Sequence, residues 1–473
     1  MNSASLATGS VPRWSLLALC VAGGLATGLL IVALSPVAFA VVAGGLLVPV
    51  LFACRPTYGL LGLLASTTML SYHSFLSSKL RTIHIPDLLF ALMFGILFYH
   101  ALSRRSRLRG TSLAKPGLYF AASACLSFAY GVLIGHANAM EAVREFRVFF
   151  FYLLFIPVAS FIPDLKTLKA FITGCLAVGA LAAINLLLGA LFKPPALNAD
   201  DLDVYYGFAE LTGGNGLVLV YICLCCCLAL AVVHRVAPAG VAATGLYLLF
   251  FLLRFHRHMY IAIALAILLC LALTYSTHRQ RVLRIVSLAV VLAFVGGSAV
   301  VWGPKIISRF ADLSLKRALS LHGIKSTSTV TLRLRENDYA IMKIKDNPLI
   351  GIGFARSYRP SLYNSTDTLD RFIHNGYLWL MLKMGIVGVA AFTWFCGTFV
   401  RRGLTRWRSL RDPFLKGTVL GTTVAFLGLA VCNMTAPYFM GDWNVAAIGI
   451  IFGINEAAYR CDPEYPLPGE ATA

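Results

Sequence analysis

Apolar residues run along this chain in blocks rather than alternating with polar ones. The blocks fall near 15–34, 37–54, 58–73, 87–103, 116–135, 148–163, 167–190, 216–234, 238–253, 259–275, 285–303, 376–400, 416–433 and 440–459. Most approach the ~20 residues that carry a helix across a bilayer. Three of them (58–73, 148–163 and 238–253) are short. The pattern predicts an all-α, polytopic integral membrane protein with about twelve to fourteen transmembrane helices. Between 304 and 374 the pattern changes. Residues 304–320 place Ile306, Ile307, Phe310, Leu313 and Leu319 on one stripe with Lys305, Arg309, Lys316 and Arg317 elsewhere, as an interfacial amphipathic helix would. A second helix is predicted from about Thr329 to Asp346, ending before Pro348, with Gly351 and Gly353 allowing a tight turn.

Composition agrees with this reading. Hydrophobic residues make up 59% and charged residues only 13% of the 473, with a mean hydropathy of +0.78. Soluble domains carry about 25% charged residues, so a soluble globular chain is excluded, as are disorder and a disulfide-stapled secreted fold. Residues 15–34 are too long for a signal-peptide core and lead into another apolar run, so a cleavable leader is not expected. Cys223, Cys225, Cys226 and Cys227 lie in one apolar run without His or carboxylate, which reads as small packing residues rather than a metal site.

The net charge of +20 sets the orientation. Three short basic loops hold Arg104, Arg105, Arg107 and Arg109, then Arg279, Arg281 and Arg284, then Arg401, Arg402, Arg406, Arg408 and Arg411. An even number of predicted spans separates them, so all three share one face. The positive-inside rule makes that face cytoplasmic and puts both termini there. The opposite face receives 136–147, 191–215, 254–258 and the long stretch 304–374, which holds twelve Lys and Arg against six Asp and Glu. Positive charge there runs against the usual bias. Solvated cations would account for an isolated pair; an anionic ligand accounts better for three separate segments that each bring arginine to a helix end. The chain thus divides into 1–303 (helices with short outer loops), 304–374 (a long outer helical loop), 375–459 (the last spans) and a tail, 460–473.

Several side chains on the outer face are suited to chemistry. His374 stands at the start of the span 376–400, and imidazole is the usual group for removing a hydroxyl proton at neutral pH. Nearby arginines would favour its neutral form. Arg333 shares a helix face with Asn337 and Ala340, while Arg335 points about 200° away. Arg254 and Arg257 are three apart at a helix junction, and Arg144 and Arg147 repeat that spacing before 148–163. Arginine's fork of donors suits phosphate oxygens, and charge at a membrane boundary is a functional candidate. Asp200, Asp201 and Asp203 form a rival cluster able to hold a divalent cation, although Pro194-Pro195 and Gly213-Gly214 mark a solvated loop. No phosphate-binding glycine loop occurs, so no nucleotide is expected as partner, and in a membrane protein a basic charge by itself does not imply a nucleic acid.

Three pieces of the chain resemble the O-antigen ligase and polymerase superfamily of bacterial envelope enzymes. The first is Arg257 before the run 259–275, where the family has an arginine in a Ser-Arg-Gly-like motif; His256-Arg257-His258 stands here, so Arg254 or Arg257 is the counterpart. The second is Arg333 ahead of Pro348-Leu349-Ile350-Gly351-Ile352-Gly353. The third is His374-Asn375 with Leu378 and Gly385-Ile386-Val387-Gly388. The resemblance implies a glycosyl transfer without metal or other cofactor, at the periplasmic face of the bacterial inner membrane. The donor would be an undecaprenyl diphosphate-linked O-antigen glycan and the acceptor a lipid A–core hydroxyl. His374 would be the base, with Arg257 (or Arg254) and Arg333 on the diphosphate, Arg144 and Arg147 as further candidates, and Asn375 and Asn337 in support. A polymerase or a protein O-oligosaccharyltransferase of the same superfamily is the nearest alternative. A lipid-linked sugar transporter, the different-class alternative, would show charges deep in its spans and broken helices near mid-membrane.

Overall fold

The computed structural model describes residues 49–69, 85–103, 111–192, 216–234, 238–254, 257–302, 328–360 and 368–462. Residues 1–59 and 60–473 form two units, and the site lies in the second. Among the described residues the regular structure is helical, with no strand. Helix α1 spans Pro56–Met69, α2 Ile85–Leu102, α3 Ala114–Ala129, α4 Ala139–Phe150, α5 Phe155–Phe161, α6 Leu165–Phe192 and α7 Leu217–Val233. Then come α8 (Pro238–Arg254), α9 (Arg257–Trp302), α10 (Ser328–Asp346), α11 (Gly376–Arg406), α12 (Pro413–Cys432) and α13 (Asp442–Cys461). Six of these segments (in α2, α3, α6, α9, α11 and α12) are long and apolar enough to cross a bilayer.

The core of the second unit is α12, which packs on α7, α9, α11 and α13. Its approach to α7 depends on Gly417 and Gly421, four residues apart. A Cβ at Gly421 would lie 2.5 Å from Cys226 Cα. Small residues at this spacing let helix backbones come close in lipid. The cysteines of α7 are buried, Cys226 against α12 and Cys223 against α6, where its Sγ is 3.7 Å from the Cys175 carbonyl. They are packing residues.

Contacts at the helix ends sort the bundle into two poles. At one pole Arg281 Nη1 donates to the carbonyls of Val232 (3.3 Å) and Val233 (2.9 Å). There too Arg408 donates to Leu273 O (2.9 Å) and Lys169 pairs with Asp412 (2.6 Å). Arg402 bonds Glu456 and Ser112, and Arg460 bonds the carbonyls of Ala159 and Ile162. The second and third basic loops therefore share one pole; residues 104–110 of the first lie outside the described residues. The opposite pole holds the starts of α2, α4, α9, α11 and α13.

Three local features differ from the sequence pattern. Arg144 and Arg147 do not precede a short span. They sit inside α4, an amphipathic helix capped by Asn138, which runs through a 3₁₀ turn (Phe151–Leu154) into α5. Apolar periodicity began the block at 148 because the first turns of α4 are polar on one face. Residues 276–284 form no loop. The 46-residue α9 would be about 69 Å long if straight, far beyond a bilayer, and it is broken at His278 (φ −132°, ψ 34°). The third feature is a break inside α11 at Gly385 (φ 61°, ψ −166°), where the apolar pattern predicted an unbroken span. The amphipathic helix expected at 304–320, the Asp200–Asp203 cluster and the tail beyond 462 lie outside the described residues.

Candidate active site

The site is built where α10 meets the start of α11. Asn375 caps α11, its side chain accepting the N–H groups of Tyr377 (3.1 Å) and Leu378 (3.2 Å). Gly376 N–H donates to Asn433 O (2.8 Å), which ties this start to the end of α12. His374 is thereby held one residue ahead of a fixed cap, with 30% of its side chain exposed.

Helix α10 supplies its partner. Glu336, 3% exposed, accepts from His374 Nδ1 at 2.8 Å and from the His374 backbone N–H at 3.3 Å. An ionised carboxylate only accepts, so in the neutral ring Nδ1 carries the proton and Nε2 keeps the lone pair. The sequence pattern expected arginines around His374. The structure puts a carboxylate on it instead, and Arg371, three residues away in sequence, pairs with Glu141 (3.6 Å) and Asp370 (3.9 Å).

Arg333 lies one helical turn before Glu336. Glu336 and Ala340 are buried, Arg333 and Asn337 half-buried, and Arg335 exposed, as the expected helix face requires. The buried Nε of Arg333 has no hydrogen-bond partner, and no carboxylate pairs with it among the described residues. A buried guanidinium donor without an acceptor is costly, and an anion beside it would remove that cost.

The other arginines are distributed unevenly. Arg254 ends α8 and Arg257 begins α9. Their side chains lie outside the described residues, but their backbones are at the His374 pole. Cys432 Sγ donates to His258 O (2.8 Å), and the next residue, Asn433, accepts from Gly376. Arg144 pairs with Glu141 (3.2 Å), the carboxylate that also meets Arg371. Arg147 pairs with Asp87 at the start of α2.

Sequence reasoning missed Glu336. Its signal was present, since it stands three residues after Arg333 on the same helix face. Also unforeseen was the support beneath the site. The break at Gly385 frees carbonyls and N–H groups of α11, and residues 348–353 bond them. Ile352 N–H donates to Leu382 O (2.8 Å) and Gly353 N–H to Lys383 O (3.1 Å). In return Ile386 N–H donates to Pro348 O (2.9 Å) and Val387 N–H to Leu349 O (3.2 Å). Gly385 adopts a left-handed conformation, and a Cβ there would collide with the Leu349 carbonyl. The Pro348–Gly353 segment is the plug of a broken helix.

A multi-pass helical membrane protein with a histidine–carboxylate pair and an unpaired arginine at one pole is the class these features define. Residues 242–393, about a third of the chain, match the family model described as O-antigen ligase, which supports placing the protein in the O-antigen ligase superfamily. That segment contains Arg254, Arg257, Arg333, Glu336, the plug, His374 and the break. No curated protein matches the chain.

Proposed function

We propose that the protein is an O-antigen ligase, transferring a glycan from undecaprenyl diphosphate to a sugar hydroxyl of lipid A–core at the periplasmic face of the inner membrane. The observation that carries this reading is the His374–Glu336 pair with Arg333 one turn away. Glu336 holds Nδ1, and Nε2 of His374 takes the proton of the acceptor hydroxyl. The acceptor oxygen attacks the anomeric carbon from the side opposite the diphosphate, and configuration inverts. The bond from that carbon to the diphosphate oxygen breaks, and its electron pair leaves on undecaprenyl diphosphate. Arg333 and Arg257 (or Arg254) stabilise the growing charge. The donor is already activated, so the step needs no nucleotide, and guanidinium groups serve where a metal would otherwise neutralise charge. Arg144 shares the Glu141 carboxylate with Arg371; Arg147 with Asp87 joins α4 to α2. Asn375 supports the site as a cap, and Asn337 lines the Arg333 face.

The transporter alternative called for charged residues deep in a span and a broken helix, and α11 has both Lys383 and the Gly385 break. A transport site leaves such freed backbone groups facing a cavity for cargo. Here the groups of Leu382, Lys383, Ile386 and Val387 are bonded to the protein's own plug. The break therefore favours a fixed scaffold over a passage.

Deletion of the gene followed by analysis of lipopolysaccharide tests the reading. Uncapped lipid A–core with polymer accumulating on undecaprenyl diphosphate is expected. Core capped by single repeat units would instead identify a polymerase, and normal capped lipopolysaccharide would overturn both.

A further inference from the structure

Lys383 is fully buried within α11, two residues before the break, and pairs with Glu145 of α4 at 3.2 Å. Burying an ion pair costs desolvation that its attraction often fails to recover, and such pairs are best attested where they fix one arrangement over others. What this pair fixes can be traced bond by bond. Lys383 Nζ donates to Arg356 O (2.9 Å), and Glu145 Oε2 accepts the N–H of Ala355 (2.8 Å). Ala355 has φ 59°, a left-handed conformation unfavourable for an alanine and held here by that bond. The next residues pass the constraint on. Ser357 Oγ bonds Asp370, Tyr358 N–H donates to Asp370 O (3.2 Å), and Tyr358 OH donates to Phe372 O (2.9 Å). Burial and the nearby Glu336 carboxylate push the Tyr358 phenol up to about 12, so it stays a hydrogen-bond donor throughout the working pH range. Phe372 is two residues from His374, and its ring meets the imidazole edge-on at 5.0 Å between centroids.

We propose that Lys383 and Glu145 are a positioning pair: together they lock residues 355–358, and through them the 370–374 segment, so that His374 stays registered on Glu336 of α10. Neither residue touches the reacting atoms. The proposal rests on His374 as the general base, and it adds two residues from other helices as the source of that base's placement.

The test uses full-length protein in proteoliposomes with Glu145→Gln, Lys383→Met and the double variant, measured two ways. The first is the separation of kcat from KM for the lipid-linked donor. A base displaced by about 1 Å can lose 10²-fold in rate, so each single variant should lower kcat by about that factor with donor KM little changed. The double variant leaves no unpaired buried charge but still lacks the Lys383 bonds to Glu145 and Arg356. It should therefore fold like the wild type and keep most of the loss in kcat; full recovery would mean that the buried charge and not the placement was at fault. The second is the rate at which diethyl pyrocarbonate modifies His374, followed on its peptide by mass spectrometry with His374→Ala as background. Loosening the imidazole from Glu336 should raise that rate in the single variants. If Lys383→Met does not fold, Glu145→Gln carries the test, since its amide oxygen can still accept the Ala355 N–H. Folded single variants with wild-type kcat and wild-type labelling would overturn the proposal. A fully active His374→Ala would instead overturn the ligase chemistry, while labelling would still report whether the pair positions the ring.

Discussion

Arginine does different work at the two poles of this bundle. At the basic pole Arg281 and Arg460 are directed at backbone carbonyls near the ends of α7 and α5, Arg408 at a carbonyl of α9 ahead of its break, and Arg402 at Glu456. Carbonyls in the last turn of a helix, such as those that Arg281 and Arg460 meet, lack intrahelical donors and carry the negative end of the helix dipole. At the other pole no described residue hydrogen-bonds or pairs with any part of the Arg333 side chain, its buried Nε–H included. Net charge alone describes both poles as basic. The distinction is whether each cation is already matched by the fold, and it separates arginines that hold helices from one that can hold a ligand.

That contrast can be broken or sharpened by substitution. The largest effect belongs to His374→Ala, which should lower transfer in reconstituted vesicles by about 10²–10⁴-fold while the thermal transition stays in place. Arg333→Ala should cost about 10²–10³-fold in kcat/KM for the diphosphate donor, and Arg333→Lys should recover only part, because a point charge lacks the planar fork. Glu336→Gln should cost up to about 10²-fold, mainly in kcat, since the carboxylate orients the ring and donor contacts remain. Smallest is Arg281→Ala at the basic pole, which should leave turnover per folded molecule unchanged and lower stability by about 1 kcal/mol, read from the shift in melting midpoint. An Arg281 effect on turnover as large as that of Arg333 would erase the distinction between the poles.

The parts of the fold legible in the sequence are those where one rule acts alone. α7 and α12 are apolar on all sides and buried among other helices, so run length locates them. The face of α10 could be read because Arg333, Asn337 and Ala340 recur at helical spacing. α4 was harder, because a half-polar helix at the boundary dilutes the apolar run that should announce it. Glu336 lies between Arg335 and Asp338 and looks like one of several solvated charges; its spacing from Arg333 puts it on the ligand-facing side, and its burial against His374 is what separates it from the others. Gly385-Ile386-Val387-Gly388 reads as span because its residues are apolar. The break there is set by hydrogen bonds from a segment more than thirty residues upstream, and periodicity carries no such information. Lys383 likewise appeared as a stray charge, since its partner Glu145 is far away in sequence.

Because α11 borrows four hydrogen bonds from the plug, the two stretches form one inherited unit although they are separated along the chain. Anyone building chimeras to retune acceptor choice should therefore place the upstream seam before Pro348 and the downstream one beyond Val387, moving both halves together. Splicing between them would leave a foreign turn facing an unzipped helix in the interior of the bundle.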